Sequence, residues 1–202
     1  MELVLIRHGQ TDSNTEMRFC GQTDINLNET GKEQVEAAAE KLFMRFGGKF
    51  DSICSSPLSR AYNSAVIIAG RFGVNESAIV KSQEIMEGHF GIFENLTLSE
   101  IIQRYPEEYK MWRDNWEGYA IESGESSIAI HNRVSAFFEE FIKTHENGTH
   151  FIVTHMGAMS YGLSYLLGLE VKSAWRFRID NAGAAIVRVN KEKFCYLTAL
   201  NA

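Results

Sequence analysis

The chain has 202 residues, of which 45% are hydrophobic and 23% charged, and its formal net charge is −6. A single globular domain of this length buries roughly 70% of the surface that its unfolded chain exposes. Nucleic acids and anionic membranes are bound by clustered lysine and arginine, so the acidic balance argues against both as partners. No run of the sequence approaches the ~20 apolar residues of a membrane span.

The cysteine pattern bears on compartment and metal binding. Cys20, Cys54 and Cys195 are odd in number, far apart and without a C-x-x-C spacing. We therefore expect neither a disulfide framework nor a thiolate zinc site. Acidic Glu2 and a very short apolar run are not typical of a signal peptide, so we expect a cytoplasmic protein. Whether it is a monomer or a homodimer stays open.

The first half of the chain alternates between apolar runs and stretches with helical periodicity. Residues 3–6 form a continuous apolar run, typical of a central strand in a parallel sheet. Thr30 and Glu33 have capping-box spacing, and Pro57 suits the first turn of a helix. The predicted elements are a strand at 3–6, a helix from about 30 to 46, a strand at 51–55 and a helix from 57 to 72.

The second half continues the alternation. The predicted elements are a helix at 96–115 broken at Pro106, a helix at 127–145, a strand at 151–154, a helix from 155, and strands at 184–189 and 194–200. Strands separated by helices predict a three-layer α/β/α sandwich with a mostly parallel, doubly wound sheet. We expect one domain over 1–202, with a helical insertion around 84–125 that determines specificity.

Three segments repeat one order: apolar strand, polar residues, start of a helix. They read "LVLIRHG", "SICSSPLSRA" and "FIVTHMG". Because the carboxyl ends of parallel strands meet at one edge, that edge should gather Arg7, His8, Arg60 and His155. Arg60 would lie in the first turn of its helix, where N–H groups also attract anions. A lone histidine after a strand is usually structural, but this combination predicts a phosphate site.

The stretch "LIRHGQTDSN" resembles the signature of the histidine phosphatase (phosphoglycerate mutase-like) superfamily. The likeness continues, in the family's order, through "GQTDINLNETGKEQ", "SSPLSRA", "EIMEGHFGIFE", "GES" and "VTHMG". Length, "MWRDNWEGYAIESGES" and "AWRFRIDNAG" make the α-ribazole phosphatases the most similar subgroup. Asn28, Phe93 and Asn95 depart from the family pattern, and we expect them to alter loop shape rather than chemistry.

The resemblance implies a metal-independent phosphomonoesterase in which His8 is the nucleophile. Arg7 and Arg60 would hold the phosphoryl oxygens, and His155 would donate a further hydrogen bond to them. Flanking arginines disfavour a second positive charge, so His8 should be neutral, and a backbone carbonyl should fix its tautomer. Gly9 would let the backbone turn closely around the phosphate.

A leaving alkoxide needs a proton, and the water that follows must lose one, so a carboxylic acid is required. Glu87 aligns with the family's acid. Glu84 is the first alternative, more simply a loop charge, and Glu94 is the second, more simply a cap on the following helix. The substrate-binding residues expected around these groups are Asn14, Arg18, Gly21, Gln22, Thr23 and Met156, whereas Thr11 would shape the loop.

The remaining histidines and tryptophans are expected to be structural. His89 should lie at the surface, His131 on the polar side of its helix, and His145 near a helix end. Trp112 and Trp116 belong to the core or to the wall of a substrate pocket. The histidine spacing and the lack of an aspartate cluster predict no metal, and we expect no cofactor.

The expected partner is a small phosphorylated metabolite. The resemblance favours α-ribazole 5′-phosphate, or the phosphorylated cobalamin precursor, in cobalamin nucleotide-loop assembly. The alternatives are a broad-specificity or sugar-phosphate phosphatase of the same family, then a phosphoglycerate mutase, and last a non-catalytic phosphate-binding module.

Overall fold

Six strands form one sheet in the order β3-β2-β4-β1-β5-β6 in the computed structural model, which describes all 202 residues. Strands β1 to β4 run parallel to one another, whereas β5 is antiparallel to both of its neighbours, β1 and β6. The strands are β1 (Glu2–Arg7), β2 (Ser52–Ser55), β3 (Ile79–Lys81), β4 (Thr149–Thr154), β5 (Ala184–Val189) and β6 (Cys195–Leu200).

Helices cover both faces of this sheet. They are α1 (Asp12–Thr15), α2 (Glu29–Arg45), α3 (Ser59–Arg71), α4 (Leu98–Arg104), α5 (Pro106–Asp114), α6 (Ser127–Thr144) and α7 (Met156–Leu166). None of them combines the length and the apolar character that crossing a membrane would need.

Strand β1 shows why two helical layers form. Successive side chains of a strand point to opposite faces, and here both faces are buried. Leu3 and Leu5 join a core cluster with residues of α6 and α7, whereas Val4 and Ile6 join a cluster with residues of α2 and α3. The predicted α/β/α sandwich with a mostly parallel sheet is confirmed.

Helices α2 and α3 do not begin at the predicted residues. The side chain of Asn28 accepts a hydrogen bond from Gly31 N at 2.8 Å, so α2 begins at Glu29 rather than at the predicted capping box. Helix α3 begins at Ser59, two residues after Pro57, because Leu58 is still extended. Strand β3 was not predicted: three residues at a sheet edge are too few to show a pattern.

The region 84–125 builds a small core of its own. Phe93, Ile101 and Ile121 are buried together, and Trp112 and Phe19 pack against them. The predicted helix in this region is two helices, α4 and α5, which meet at Tyr105 just before Pro106. The three departures from the family pattern are structural. Asn28 caps α2, Phe93 is buried, and Asn95 adopts a positive φ of 61°.

Candidate active site

The carboxyl ends of β1, β2 and β4 meet at one edge of the sheet. His8 follows β1, His155 follows β4, and their ring centroids lie 5.1 Å apart at an interplanar angle of 61°. Arg60, in the first turn of α3, and Arg7, at the end of β1, line the same cavity as His8. The structure therefore brings together the four residues that the strand-end pattern singled out.

The imidazole of His8 is held in one orientation. Its Nδ1 donates to the carbonyl oxygen of Gly9 at 2.6 Å, because a carbonyl can only accept. Nε2 is left as the ring nitrogen with a free lone pair. Burial first, then the charges of Arg60 and Arg7, hold the pKa of His8 well below its usual range. The lowered pKa therefore favours a neutral ring with Nε2 unprotonated at neutral pH.

His155 is fully buried beside it. Its Nε2 lies 2.8 Å from Ser56 Oγ, and its Nδ1 is buried without a hydrogen-bond partner in the protein. Ser56 Oγ accepts from Leu58 N at 3.3 Å, which leaves the hydroxyl hydrogen free to point at Nε2. Burial, Arg60 and His8 lower the pKa of His155. This arrangement makes Nδ1 available as a neutral donor.

The two arginines are anchored by backbone carbonyls rather than by carboxylates. Arg7 donates from one terminal nitrogen to Ile179 O at 2.7 Å, and its Nε is buried without a partner. Arg60 is 2% exposed and donates to Thr23 O at 2.9 Å and Gly21 O at 2.6 Å. Because neither charge is neutralised by a direct ion pair, both are available to an anion.

The cavity at this edge has a volume of about 380 Å³. The predicted site residues that line it are Arg7, His8, Asn14, Arg18, Gly21, Arg60, Glu87 and Met156. Arg18 lies on the wall, but its guanidinium is engaged by Glu16, Glu100 and the carbonyl of Asn95. Thr11 caps α1 and bonds to Asn14, so it shapes the loop as expected.

Gln22 and Thr23 are not among the residues that line this cavity. The carboxylate of Glu94 accepts bonds from the backbone N–H groups of both and from the hydroxyl of Thr23. Glu94 therefore ties the 21–23 loop to the 84–125 region. The expectation that it caps the next helix is wrong, because Thr97 and Glu100 form the capping box of α4.

Glu87 lies at the amino end of α7. Its carboxylate accepts from Gly157 N at 3.0 Å, Ala158 N at 3.1 Å and Gly88 N at 3.0 Å. Of the three candidate acids, Glu87 alone lines the cavity. Glu84 accepts from the hydroxyl of Ser82 and is a loop charge, as expected.

Several residues of the site were missed by the sequence analysis. Asn181 lines the cavity and donates to Asn14 Oδ1 at 3.1 Å, and Ala182 N donates to His8 O at 3.0 Å. The only sequence feature that could have pointed to these two residues is the string "RIDNAG". It lies so far along the chain from His8 and Asn14 that its contact with them could not be inferred. Gly9 packs against α2, a contact that the sequence analysis did not anticipate. A side chain there would collide with Gly31 and Val35, so the packing of α2 against this turn requires the glycine.

Residues 3–202 match the sequence profile of the Histidine phosphatase superfamily (branch 1). The chain belongs to the histidine phosphatase superfamily. It is 31% identical over 193 residues to Phosphoserine phosphatase 1 of Hydrogenobacter thermophilus, covering 96% of this chain and 89% of that protein. It is 28% identical over 201 residues to Adenosylcobalamin/alpha-ribazole phosphatase of Escherichia coli, covering 100% and 96%.

Solved structures give the same picture for this histidine phosphatase superfamily member. The alpha-ribazole phosphatase from Shigella flexneri superimposes with a TM-score of 0.89 at 28% identity, covering 100% of this chain and 96% of that one. A phosphoserine phosphatase mutant from Entamoeba histolytica, in complex with phosphoserine, superimposes with a TM-score of 0.84 at 28% identity, covering 100% and 96%.

A second cavity of about 290 Å³ adjoins the first, and we call it the aromatic chamber. Both cavities share Phe19, Glu87, Phe90, Gly157 and Trp175. The other lining residues of the chamber are Gly88, Trp112, Trp116, Glu125, Ser127, Ile130 and Tyr161. Trp116 therefore stands on a cavity wall, whereas Trp112 packs against the core of the 84–125 region and also lines the chamber.

The other histidines lie outside both cavities. His150 is buried at the start of β4, between Ser52 and the carbonyl of Asn147, and His145 stacks on Phe141 at the end of α6. His131 packs against Tyr161 rather than lying on a polar face. No group of three or more His, Cys, Asp or Glu residues is arranged to hold a metal ion.

Proposed function

We propose that the chain hydrolyses phosphate monoesters through a phosphohistidine formed on Nε2 of His8, without metal or cofactor. The observation that carries the proposal is the fixed tautomer of His8, whose only free ring nitrogen is unprotonated. Two buried, unpartnered donors, Arg7 Nε and His155 Nδ1, support it, because buried N–H groups are costly to leave unpaired. A phosphoryl group would accept from both.

The charges of the site suit this chemistry. A phosphoryl group in transfer carries negative charge on its equatorial oxygens, and preorganised cations stabilise it. Arg7 and Arg60 would supply that charge from fixed positions, since backbone carbonyls already hold their guanidinium groups. Asn14 would add an amide contact, because its Oδ1 already accepts from Asn181 and its amide nitrogen is left for the phosphoryl group.

Glu87 would carry the protons. In the first half-reaction its carboxyl group would protonate the leaving oxygen as the phosphoryl group moves to His8. In the second half-reaction its carboxylate would accept a proton from the water that attacks phosphohistidine. Its position between the phosphoryl cavity and the aromatic chamber supports this role, because the ester oxygen would lie between the two.

For the substrate, we propose α-ribazole 5′-phosphate or the phosphorylated cobalamin precursor. The aromatic chamber supports an aromatic leaving group, since rings pack well against Trp112, Trp116 and Trp175. The only charged residues of the chamber are Glu87 and Glu125, so its wall offers no cation to pair with a carboxylate. Within this proposal, the region 84–125 determines specificity, because it supplies Phe90, Trp112 and Trp116.

Phosphoserine is the second candidate, favoured by the 31% identity with Phosphoserine phosphatase 1 of Hydrogenobacter thermophilus. Its carboxylate would need a cation apart from those that hold the phosphoryl group. Arg18 is the only further cation on the cavity wall, and Glu16 and Glu100 already pair with it. Broad sugar-phosphate hydrolysis, mutase activity and phosphate binding without turnover are the remaining alternatives. Three free cysteines are compatible with action in the cytoplasm.

The test compares kcat/KM for α-ribazole 5′-phosphate, phosphoserine, 3-phosphoglycerate and several sugar phosphates. We expect α-ribazole 5′-phosphate to lead by at least about 10-fold, the amount that one well-packed aromatic contact can supply. A higher kcat/KM for phosphoserine would overturn the proposed substrate but would leave the phosphohistidine mechanism standing. Absence of an acid-labile, base-stable phosphoryl group on the protein would overturn the chemistry itself.

A further inference from the structure

Glu87 lies on residues 82–90, which we call the acid loop and whose only regular element is a short 3-10 turn at Gln83–Ile85. Side chains from elsewhere in the chain bond to the carbonyl groups of residues 84–87. Arg133 of α6 donates most of these hydrogen bonds. It donates to Glu84 O at 2.8 Å, to Met86 O at 3.0 Å and to Glu87 O at 3.4 Å.

Arg133 is itself held by Glu125. The two side chains form a bidentate pair, with Nε–Oε1 and Nη2–Oε2 distances of 2.9 and 2.8 Å. Glu125 also accepts from His89 N at 2.9 Å. The arginine therefore fixes the acid loop on the amino-terminal side of Glu87, and the glutamate fixes it on the carboxyl-terminal side.

We propose that Arg133 and Glu125 are positioning residues for Glu87, keeping its carboxyl group at the leaving oxygen of the substrate. This inference rests on the proposed function, in which Glu87 is the proton donor. Arg133 lines neither cavity and Glu125 lines only the aromatic chamber, so the pair acts on the acid through the backbone of the acid loop rather than by contact with the phosphate. Proton transfer demands close placement of donor and acceptor, and a displacement of about 1 Å can cost about 10²-fold in rate.

The pair needs an arginine at position 133. The guanidinium uses Nε and one terminal nitrogen for Glu125, while the other terminal nitrogen bonds two carbonyls. A lysine has one nitrogen with three donors on a flexible stem, and it cannot reach all of these acceptors in one geometry. Arg133→Lys, which keeps the positive charge but lacks the planar guanidinium group, should therefore loosen the acid loop.

The experiment measures kcat/KM for two substrates in Arg133→Lys, Arg133→Ala and Glu125→Gln. An alkyl phosphate needs protonation of its leaving oxygen, whereas p-nitrophenyl phosphate does not. The value of kcat/KM reports the steps up to phosphoryl transfer to His8, and it does not depend on how fast phosphohistidine is hydrolysed. We expect losses of about 10-fold or more on the alkyl phosphate and less than about 3-fold on p-nitrophenyl phosphate, with Arg133→Ala the more severe of the arginine variants.

A double-mutant cycle separates positioning from a general loss of structure. In a Glu87→Gln background the same substitutions should change kcat/KM on the alkyl phosphate by less than about 2-fold, because the group they position is gone. Arg71→Ala is the matched control. It removes another arginine–glutamate pair, with Glu40 on the surface, and should leave both substrates unchanged.

Each result has a separate meaning. The positioning role would be overturned if Arg133→Lys and Glu125→Gln lost equal activity on both substrates. It would also be overturned if their losses added to that of Glu87→Gln. Either result would leave the proposed function standing, provided that the wild-type protein forms phosphohistidine. A wild-type protein that forms no phosphohistidine would overturn the proposed function, and the positioning role with it. If Arg133→Ala fails to fold, Arg133→Lys and Glu125→Gln still decide.

Discussion

The rings of His8 and His155 lie edge to face, with centroids 5.1 Å apart, and each has one nitrogen committed to a neighbour. The carbonyl of Gly9 holds the first ring and the hydroxyl of Ser56 holds the second. Two imidazoles this close, buried beside two guanidinium groups, are strongly disfavoured as cations. In the proposed mechanism, one ring attacks phosphorus and the other donates a hydrogen bond to the same phosphoryl group.

Replacing His8 with alanine should abolish turnover while the protein stays folded, because it removes the nitrogen proposed to accept the phosphoryl group. We expect a loss of at least about 10³-fold in kcat. His145→Ala, at the opposite edge of the sheet, is the matched control and should stay active. Phosphatase assays with circular dichroism would test this, and turnover retained in His8→Ala would remove the mechanism.

Replacing Glu87 with glutamine should affect substrates according to their leaving group. We expect kcat/KM to fall by about 10²-fold for an alkyl phosphate and by less than about 5-fold for p-nitrophenyl phosphate, whose leaving group needs no proton. Glu84→Gln, on the same loop but bonded to Ser82, should change neither substrate. Equal losses on both substrates would show that Glu87 is not the leaving-group acid.

The buried histidines should make the fold less stable in acid. Burial and the neighbouring arginines hold the pKa values of His8 and His155 well below 6.5, whereas in the unfolded chain both return to that value. The unfolded state therefore binds more protons between the folded pKa and about 6.5, so stability is full above this window and is lost as pH falls through it.

Urea unfolding measures this effect. The free energy of unfolding should decrease as the pH is lowered from about 7 to about 5. The decrease should be smaller in His8→Asn, which has one proton-binding site fewer. Ring NMR titrations of the wild type should place both midpoints below the ordinary value of 6.5. An unchanged slope in His8→Asn, or a midpoint for His8 above that value, would contradict the expected direction.

Replacing Trp175 with alanine should reduce activity only on substrates with a ring to stack. Trp175 is 52% exposed and lines both cavities, so its loss should leave the fold intact. We expect kcat/KM for α-ribazole 5′-phosphate to fall by about 10-fold, with glycerol phosphate changed by less than about 2-fold. Trp175→Phe should retain most of the activity. Parallel losses on both substrates would exclude a ring-stacking role.

A metal chelator should have no effect on the rate. The charges expected to hold the phosphoryl group are Arg7 and Arg60, and no cluster of His, Cys, Asp or Glu is arranged around it. Excess EDTA should leave kcat/KM within about 2-fold of its starting value. A rate lost in EDTA and restored by a divalent cation would identify a metallohydrolase instead.

Much of the fold, and the meeting of Arg7, His8, Arg60 and His155 at one edge of the sheet, could be predicted from the sequence because both depend on local patterns. The apolar run of β1 and the helix signals after β2 and β4 are short-range features, and parallel strands bring their carboxyl ends to one edge. The tautomer of His8 could be anticipated in the same way, since the carbonyl that fixes it belongs to the next residue.

The tertiary structure alone decided the partners of the remaining polar groups. Glu94 bonds to the 21–23 loop, Arg133 bonds to the acid loop, and Asn181 bonds to Asn14, in each case across a long stretch of chain. Composition and periodicity report which face of an element is buried. They do not report which distant carbonyl or carboxylate a side chain meets, because that depends on how loops without periodicity pack against one another.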